Sequence, residues 1–320
     1  MFRSFLKSLC SLALCLLVVS TAGFAQNTDS LKKLILIVCS DSTHATSRSV
    51  KGIRQSLKYS GLETEIEEIN FKTEGKAKLK SIINVLNPNL IISVGSPSTK
   101  YIKETFPDKA LIFSTVLNPT TSGIISPDDS SRVRITGSTL DIPVDIQFQK
   151  FKMVYPSLKK LGVIYTANTA SLIEEAYRVA PQLNLDFHAI KINSDKELPK
   201  ALDSLCRVVD GIWTTADDQI YTPQATRFMI LAALRNGKPI MGFSPNFVKS
   251  GALLGLNYDY KDIGRQAGEL AASHLKGTPI GELPLAPPGV IYLHINLKTA
   301  NQLGIEIDQS LVDISKEIYK

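Results

Sequence analysis

The chain has 320 residues, of which 44% are hydrophobic, with 36 Lys and Arg against 30 Asp and Glu. That apolar content excludes a disordered chain, and the length exceeds what one hydrophobic core usually serves, so two domains are expected. The net charge of +6 is spread along the sequence rather than clustered, which offers no nucleic-acid surface.

Residues 1–25 read as a targeting segment. Arg3 and Lys7 form a basic start, and Leu9 to Val19 is an apolar run too short to span a bilayer comfortably. Gly23-Phe24-Ala25 places small residues for cleavage before Gln26, leaving a mature chain of about 295 residues with a net charge of +4. Cys10 and Cys15 each follow a leucine, which argues against a lipid anchor. The expected location is therefore the periplasm. Cys39 in a predicted strand and Cys206 in a predicted helix read as two buried free thiols rather than a disulfide.

After the leader, β-rich runs alternate with helical stretches. "KKLILIVCS" (32–40) is a buried strand, and the helical pattern of "ATSRSVKGIRQSLKYSG" ends at Gly61. "TEIEEIN", a helix through "KAKLKSIINVLN", "LIISVG", a helix over 97–105 and "ALIFSTVLNP" follow. This order calls for a parallel sheet covered on both faces. The alternation pauses over 120–145, a Gly- and Pro-containing stretch with the short strand "RITGS", and then resumes. Helices are predicted at 144–155, 169–182, 196–206 and 222–236, between the strands "KKLGVIYTA", "DFHAIKI", "VDGIWTTAD", "KPIMGFS" and "GALLGLNYD". The helix "KDIGRQAGELAASHLKG" and the tail "VIYLHINLKTANQLGIEI" come after both halves, where late elements often return to an earlier lobe.

Ligands in open parallel sheets bind beyond the carboxyl ends of the strands. Six such ends here carry hydroxyls, amides and acids: Ser40-Asp41-Ser42-Thr43, Gly95-Ser96-Pro97-Ser98-Thr99, Asn118-Pro119-Thr120, Thr166-Ala167-Asn168, Ala216-Asp217-Asp218 and Phe243-Ser244-Pro245-Asn246. Each taken singly reads as a helix cap. Six on two matched halves point to one shared cleft.

The stretches "LIISVGSPSTK", "FSTVLNPTTSGI", "RITGSTLDIP", "YPSLKKLGVIY", "VDGIWTTADDQIYTP", "GKPIMGFSPNFVKSGALLGLNYDYKDIGRQAGELAASHLKG" and "INLKTANQLGI" stand in an order and spacing that carry a resemblance. From about residue 33 to its end the chain resembles the ABC-transporter substrate-binding proteins of the type I periplasmic fold, a family that includes tryptophan- and tyrosine-binding members. The resemblance implies an α/β fold of two lobes, each a parallel sheet flanked by helices, joined by two or three crossings. Lobe limits of 31–137 with 257–280, and 141–254 with 285–320, are expected. "DSTHATSRSV" stands where better-known members have a Pro and a Leu-Asp pair, and Asp217-Asp218 where they have Asp-Asn, which places the chain on a less characterised branch.

Site residues follow from this layout. Gly95, Ser96, Ser98 and Thr99 open a helix, where free N–H groups and the helix dipole favour a carboxylate. Asp217 and Asp218 end a strand in the other half, where a carboxylate suits an ammonium group. Asp217 also reads as a cap for the helix beginning near Pro223. Ser42, Thr43, Asn118, Tyr165, Asn168, Phe243 and Ser244 complete the ligand-binding set. Among Phe113, Tyr165, Trp213, Tyr221, Phe243 and Tyr258, one or two are expected to line an apolar pocket and the rest, Trp213 included, to be core. His44 has no second histidine nearby and reads as a solvated loop residue.

Enzyme readings fail on inventory. "SVGSPS" is not a nucleophile elbow, no Gly-x-Gly-x-x-Gly follows a strand, and no Walker-type loop is present. Adjacent Asp217 and Asp218 would point to opposite faces, which is no hydrolase pair. The expectation is an exported monomer without cofactor or metal that closes on a small polar ligand, amino-acid-like by resemblance and by charge layout. It would deliver that ligand to an ABC permease in the inner membrane. A sensor subunit reporting to a histidine kinase or chemoreceptor is the alternative. A neighbouring permease and ATPase gene pair would favour transport. Hinges are expected near 137–143 and 255–262, with another near 280–290.

Overall fold

Two separate sheets organise the computed structural model, which describes residues 32–125 and 133–320. Residues 1–25, expected from sequence to be a targeting segment, lie outside the described residues with Cys10 and Cys15. The first sheet is built from β1 (Lys33–Cys39), β2 (Thr64–Asn70), β3 (Leu90–Val94), β4 (Leu111–Val116) and β5 (Ile135–Thr139). These strands lie in the order β2-β1-β3-β4-β5, all parallel. Its connections are α1 (His44–Tyr59), α2 (Phe71–Leu86) and α3 (Ser96–Thr105).

The unbroken apolar run of β1 is explained by helices on both faces. Ile35, Ile37 and Cys39 pack toward Ile53 and Leu57 of α1, while Leu36 and Val38 pack toward Leu79 and Ile83 of α2. The second helix begins at Phe71, earlier than its apolar pattern announces, and bends at Gly75, where φ is 77°. Asn70 caps it by accepting from the Lys72 and Thr73 N–H groups.

The second sheet follows α4 (Val144–Val154). It contains β6 (Lys160–Tyr165), β7 (Asp186–Lys191), β8 (Gly211–Trp213), β9 (Ile240–Gly242) and β10 (Leu254–Tyr258). Helices α5 (Ala170–Val179), α6 (Leu198–Cys206), α7 (Pro223–Arg235) and α8 (Pro245–Lys249) connect them. Three crossings join the sheets. Residues 140–143 lead from β5 into α4, Asp259 leads from β10 into α9 (Tyr260–Leu275), and 286–290 lead into β11 (Ile291–Asn296). Helix α9 returns to the first sheet and lies against α1.

After α9 the chain runs beside β5, where the Thr139 N–H donates to the Ala286 carbonyl at 2.9 Å. It then enters the second sheet from the opposite direction, so β11 pairs antiparallel with β10. Helices α10 (Leu297–Leu303) and α11 (Gln309–Ile314) and the short β12 (Glu317–Tyr319) complete the fold. The second sheet is thus parallel across five strands, with an antiparallel join created by the third crossing.

Cys39 and Cys206 are buried free thiols, one in each half. Burial, reinforced by Glu68, pushes the Cys39 thiol up to about 12. It stays protonated and unreactive.

The α1–α9 contact is close because glycines carry it. A Cβ on Gly264 would sit 1.9 Å from the Ser49 carbonyl oxygen, and one on Gly52 would sit 2.0 Å from that of Lys261. Backbone cannot swing aside as a flexible side chain would, so the helices must separate. Gly264→Ala is expected to cost about 1–3 kcal/mol, the usual range for overpacking, despite alanine's better helix propensity. A urea melt showing no loss would contradict this account of the packing.

Candidate functional site

The carboxyl ends of both sheets open on one cleft, and the backbone there is bent out of regular geometry. Thr115 has φ 56° and Asn118 φ 48°, both in the left-handed region, and the β4–β5 register shifts between Phe113 and Val116. A β-branched residue in that region is strained, and strain of this kind collects at ligand sites. The result is to turn Leu117 and Asn118 off the end of β4 into the cleft.

Asp141 fixes this bend. Its carboxylate accepts the Asn118 N–H at 2.9 and 3.1 Å and the Thr139 hydroxyl at 2.7 Å. Those are dipoles, and no cation pairs with Asp141 among the described residues. Burial therefore raises its pKa, against the lowering effect of these hydrogen bonds. A carboxylate in this state is stabilised by any cation that can reach it.

Asp141 lines an inner cavity of about 220 Å³, room for roughly seven waters. Leu117, Asn118 and Leu140 line it from the first half, and Leu172, Trp213, Met241, Phe243, Ser244 and Leu256 from the second. Tyr258 at the second crossing completes the wall. Trp213 is fully buried, edge-on to Phe148 at 5.1 Å, and donates its Nε1–H to Gln147 Oε1 at 2.8 Å. It serves the core and the cavity at once. Burial, with Tyr260 and Asp141 nearby, pushes the Tyr258 phenol up, so it remains neutral.

The cleft widens outward into a second cavity of about 620 Å³. Lys100, Thr121 and Ser122 line it from the first half, and Asn168, Asp217, Asp218 and Tyr221 from the second. Leu117, Asn118, Ala216 and Phe243 line both cavities and form the passage between them.

Of the residues expected from sequence, the cleft gathers Asn118, Asn168, Asp217, Asp218, Phe243 and Ser244. Ser42, Thr43, Gly95, Ser96, Ser98, Thr99 and Tyr165 line neither cavity. The Gly95–Thr99 turn requires a correction. Three of its four N–H groups are already used: Gly95 donates to the Ser114 carbonyl, Ser98 to Ser40 Oγ at 3.0 Å, and Thr99 to the Gly95 carbonyl. Ser98 and Thr99 are fully buried, and their hydroxyls bond Ser40 and Ser93 at 2.8 and 2.7 Å. The hydroxyl-rich turn knits β1, β3 and α3 together and leaves no nest of amides for an anion. Thr43 caps α1 and bonds Asp41, while Ser42 accepts from Asn70 at 2.7 Å. Tyr165 packs against the core beneath α4 and α5.

Asp217 and Asp218 lie in the loop beyond β8, which ends at Trp213, and there they diverge. Asp218 is exposed, whereas Asp217 is 1% exposed. Asp217 Oδ2 accepts from the Thr166 N–H at 3.0 Å, the Thr166 hydroxyl at 2.8 Å and the Thr169 hydroxyl at 3.2 Å. Its Oδ1 accepts from the Gln219 N–H at 3.2 Å. It pins the β6–α5 loop, and the cap of α7 is Thr222 instead. Asp141 and Lys100 were missed because Asp141 falls in a stretch that read as a lobe crossing, and Lys100 lies one turn inside a helix. The signal for Asp141 was a lone acid before Pro143 in the crossing "TLDIP".

Two α/β halves, three crossings and a cleft with a half-buried carboxylate that no cation pairs among the described residues define a two-lobed binding protein of the type I periplasmic class. The sequence model of the ABC transporter substrate binding proteins matches residues 34–318, and the chain belongs to that family. A tyrosine-binding protein of Clostridioides difficile is 25% identical over 221 residues, 68% of this chain and 64% of that protein, so less than two thirds of the relative is matched. Among solved structures, the ligand-free, open form of a Clostridium difficile substrate binding protein with adhesive properties has a TM-score of 0.71 at 18% identity, covering 90% of this chain and 99% of that one. An ABC domain in complex with L-Trp from Streptococcus pneumonia has a TM-score of 0.58 at 21% identity with the same coverage. At these identities the structures establish the fold. Among the described residues no helix is long and apolar enough to cross a membrane.

Proposed function

We propose that this chain is an exported solute-binding protein that closes on one amino acid with an apolar or aromatic side chain and presents it to an ABC permease. The observation that carries the reading is Asp141, a carboxylate with no cation partner among the described residues, in a mostly apolar cavity between the lobes. A ligand ammonium supplies the missing charge, and Leu117, Met241, Leu256 and Trp213 suit an apolar side chain. The named ligands of the two relatives, tyrosine and L-Trp, belong to that class. The lobes, divided at the crossings of 140–143, Asp259 and 286–290, move as near-rigid bodies because each has its own sheet and core. Export across the inner membrane and a monomeric state complete the proposal.

Calorimetric titration with L-tyrosine and L-tryptophan tests the ligand, and small-angle scattering tests the motion. Saturation of one site by one of the two should reduce the radius of gyration while far-ultraviolet circular dichroism stays constant. Binding without compaction would count against closure, and absence of binding by both would count against the ligand class.

A further inference from the structure

We propose that Lys100 holds the carboxylate of the ligand, making the site selective for an amino acid over the corresponding amine. This rests on the amino-acid reading above and adds the second half of the head group. Because the N–H groups of Gly95, Ser98 and Thr99 are engaged within the fold and the turn lines neither cavity, the carboxylate of a ligand held in the cleft needs a partner elsewhere. Among the described residues lining the two cavities, Lys100 is the single cation. It stands one turn into α3, is exposed, and its side chain makes no hydrogen bond or ion pair with the described residues.

The layout gives the head group a direction. Asn118 lines both cavities, its N–H is committed to Asp141, and its side-chain amide has no partner among the described residues. Asp141 lies on the inner side of Asn118 and Lys100 on the outer side. A zwitterion seated at Asn118 therefore meets an anion inward and a cation outward, with its side chain in the apolar inner cavity. A long ammonium side chain can follow the ligand as the lobes close. Asp218 shares the outer cavity from the opposite lobe and is the competing partner for Lys100.

L-Tyrosine and its decarboxylated amine, tyramine, separate these roles. Calorimetric affinities for both should be measured on the unaltered protein, on Lys100→Gln and on Lys100→Arg. The unaltered protein should prefer L-tyrosine by about 10- to 100-fold. Lys100→Gln should close that gap by weakening L-tyrosine alone, and Lys100→Arg should restore most of it. A gap that survives Lys100→Gln overturns the proposal. Equal weakening of both ligands also overturns it, since a latch between Lys100 and Asp218 would act on closure whatever the ligand. An unaltered protein that binds both equally well overturns Lys100 while leaving the ammonium at Asp141. Failure to bind either, or L-tryptophan, overturns the amino-acid reading itself and Lys100 with it.

Discussion

Asp141→Asn is expected to lower the affinity for L-tyrosine by roughly 30-fold to several thousandfold, corresponding to about 2–5 kcal/mol for leaving a desolvated ammonium unpaired. The substitution keeps the shape and one oxygen to accept the Asn118 N–H. The Thr139 hydroxyl can instead donate to the Val116 carbonyl, already 3.1 Å away, and accept from the new amide. Stability of the ligand-free protein should therefore hold or rise. The sign follows from the raised pKa, since burial disfavours the charged form in the folded state. The cost of that charge is fully present above the folded pKa and is relieved as pH falls through it toward the unfolded value. Removing the charge removes the cost at neutral pH.

The same argument sets the pH dependence of binding. Acidification protonates Asp141 before an ordinary aspartate and removes the attraction for an ammonium, so affinity should fall as pH drops through the raised pKa. Asp141→Asn should flatten that profile. Calorimetry across a pH series and thermal melting of the ligand-free variant provide the check. A variant that binds normally would remove the main support for an amine-bearing ligand.

The fold was legible because buried parallel strands leave strong marks. "LILIVC" and "LIISV" are continuous apolar runs, and the glycine- and proline-containing pause at 120–145 contains the first crossing. The start of α2 was less visible because Phe71-Lys72-Thr73-Glu74-Gly75 lacks a helical pattern, and capping by Asn70 rather than apolar spacing places it. The site was only partly legible. Asn118, Asn168, Asp218, Phe243 and Ser244 lie in the loops that leave the strand ends and reach the cleft. Ser98 and Thr99 carry the same chemistry in the same kind of position, yet they turn inward to Ser40 and Ser93. Hydroxyls that bond a neighbouring strand and hydroxyls that face a ligand look identical in sequence, because the partner lies some 58 residues away for Ser98. Trp213 was hidden for the opposite reason, since a fully buried indole still forms part of a cavity wall.

Asp217→Ala should show the reverse signature of Asp141→Asn: a large loss of stability with a smaller loss of affinity. The truncation strands the Thr166 N–H and the Thr166 and Thr169 hydroxyls, all at residues no more than 3% exposed. A buried donor left unsatisfied costs about 1–3 kcal/mol, and hydrogen bonds to a charged acceptor are the stronger ones. With partial rescue by rearranged hydroxyls, the expected loss is about 3–5 kcal/mol in urea unfolding of the ligand-free protein. Asp217→Asn should recover only part, because three donors converge on Oδ2 and an amide nitrogen there would face them with hydrogens. Affinity should fall by several-fold, since the loosened loop carries Asn168 on the outer cavity wall. An ammonium contact at Asp217 would give the opposite result, with stability almost unchanged and affinity reduced by orders of magnitude. Measured side by side, the two aspartates decide which lobe supplies the charge that a ligand amine meets. Unchanged folding with abolished binding at Asp217 would move that role from the first crossing to the loop after β8.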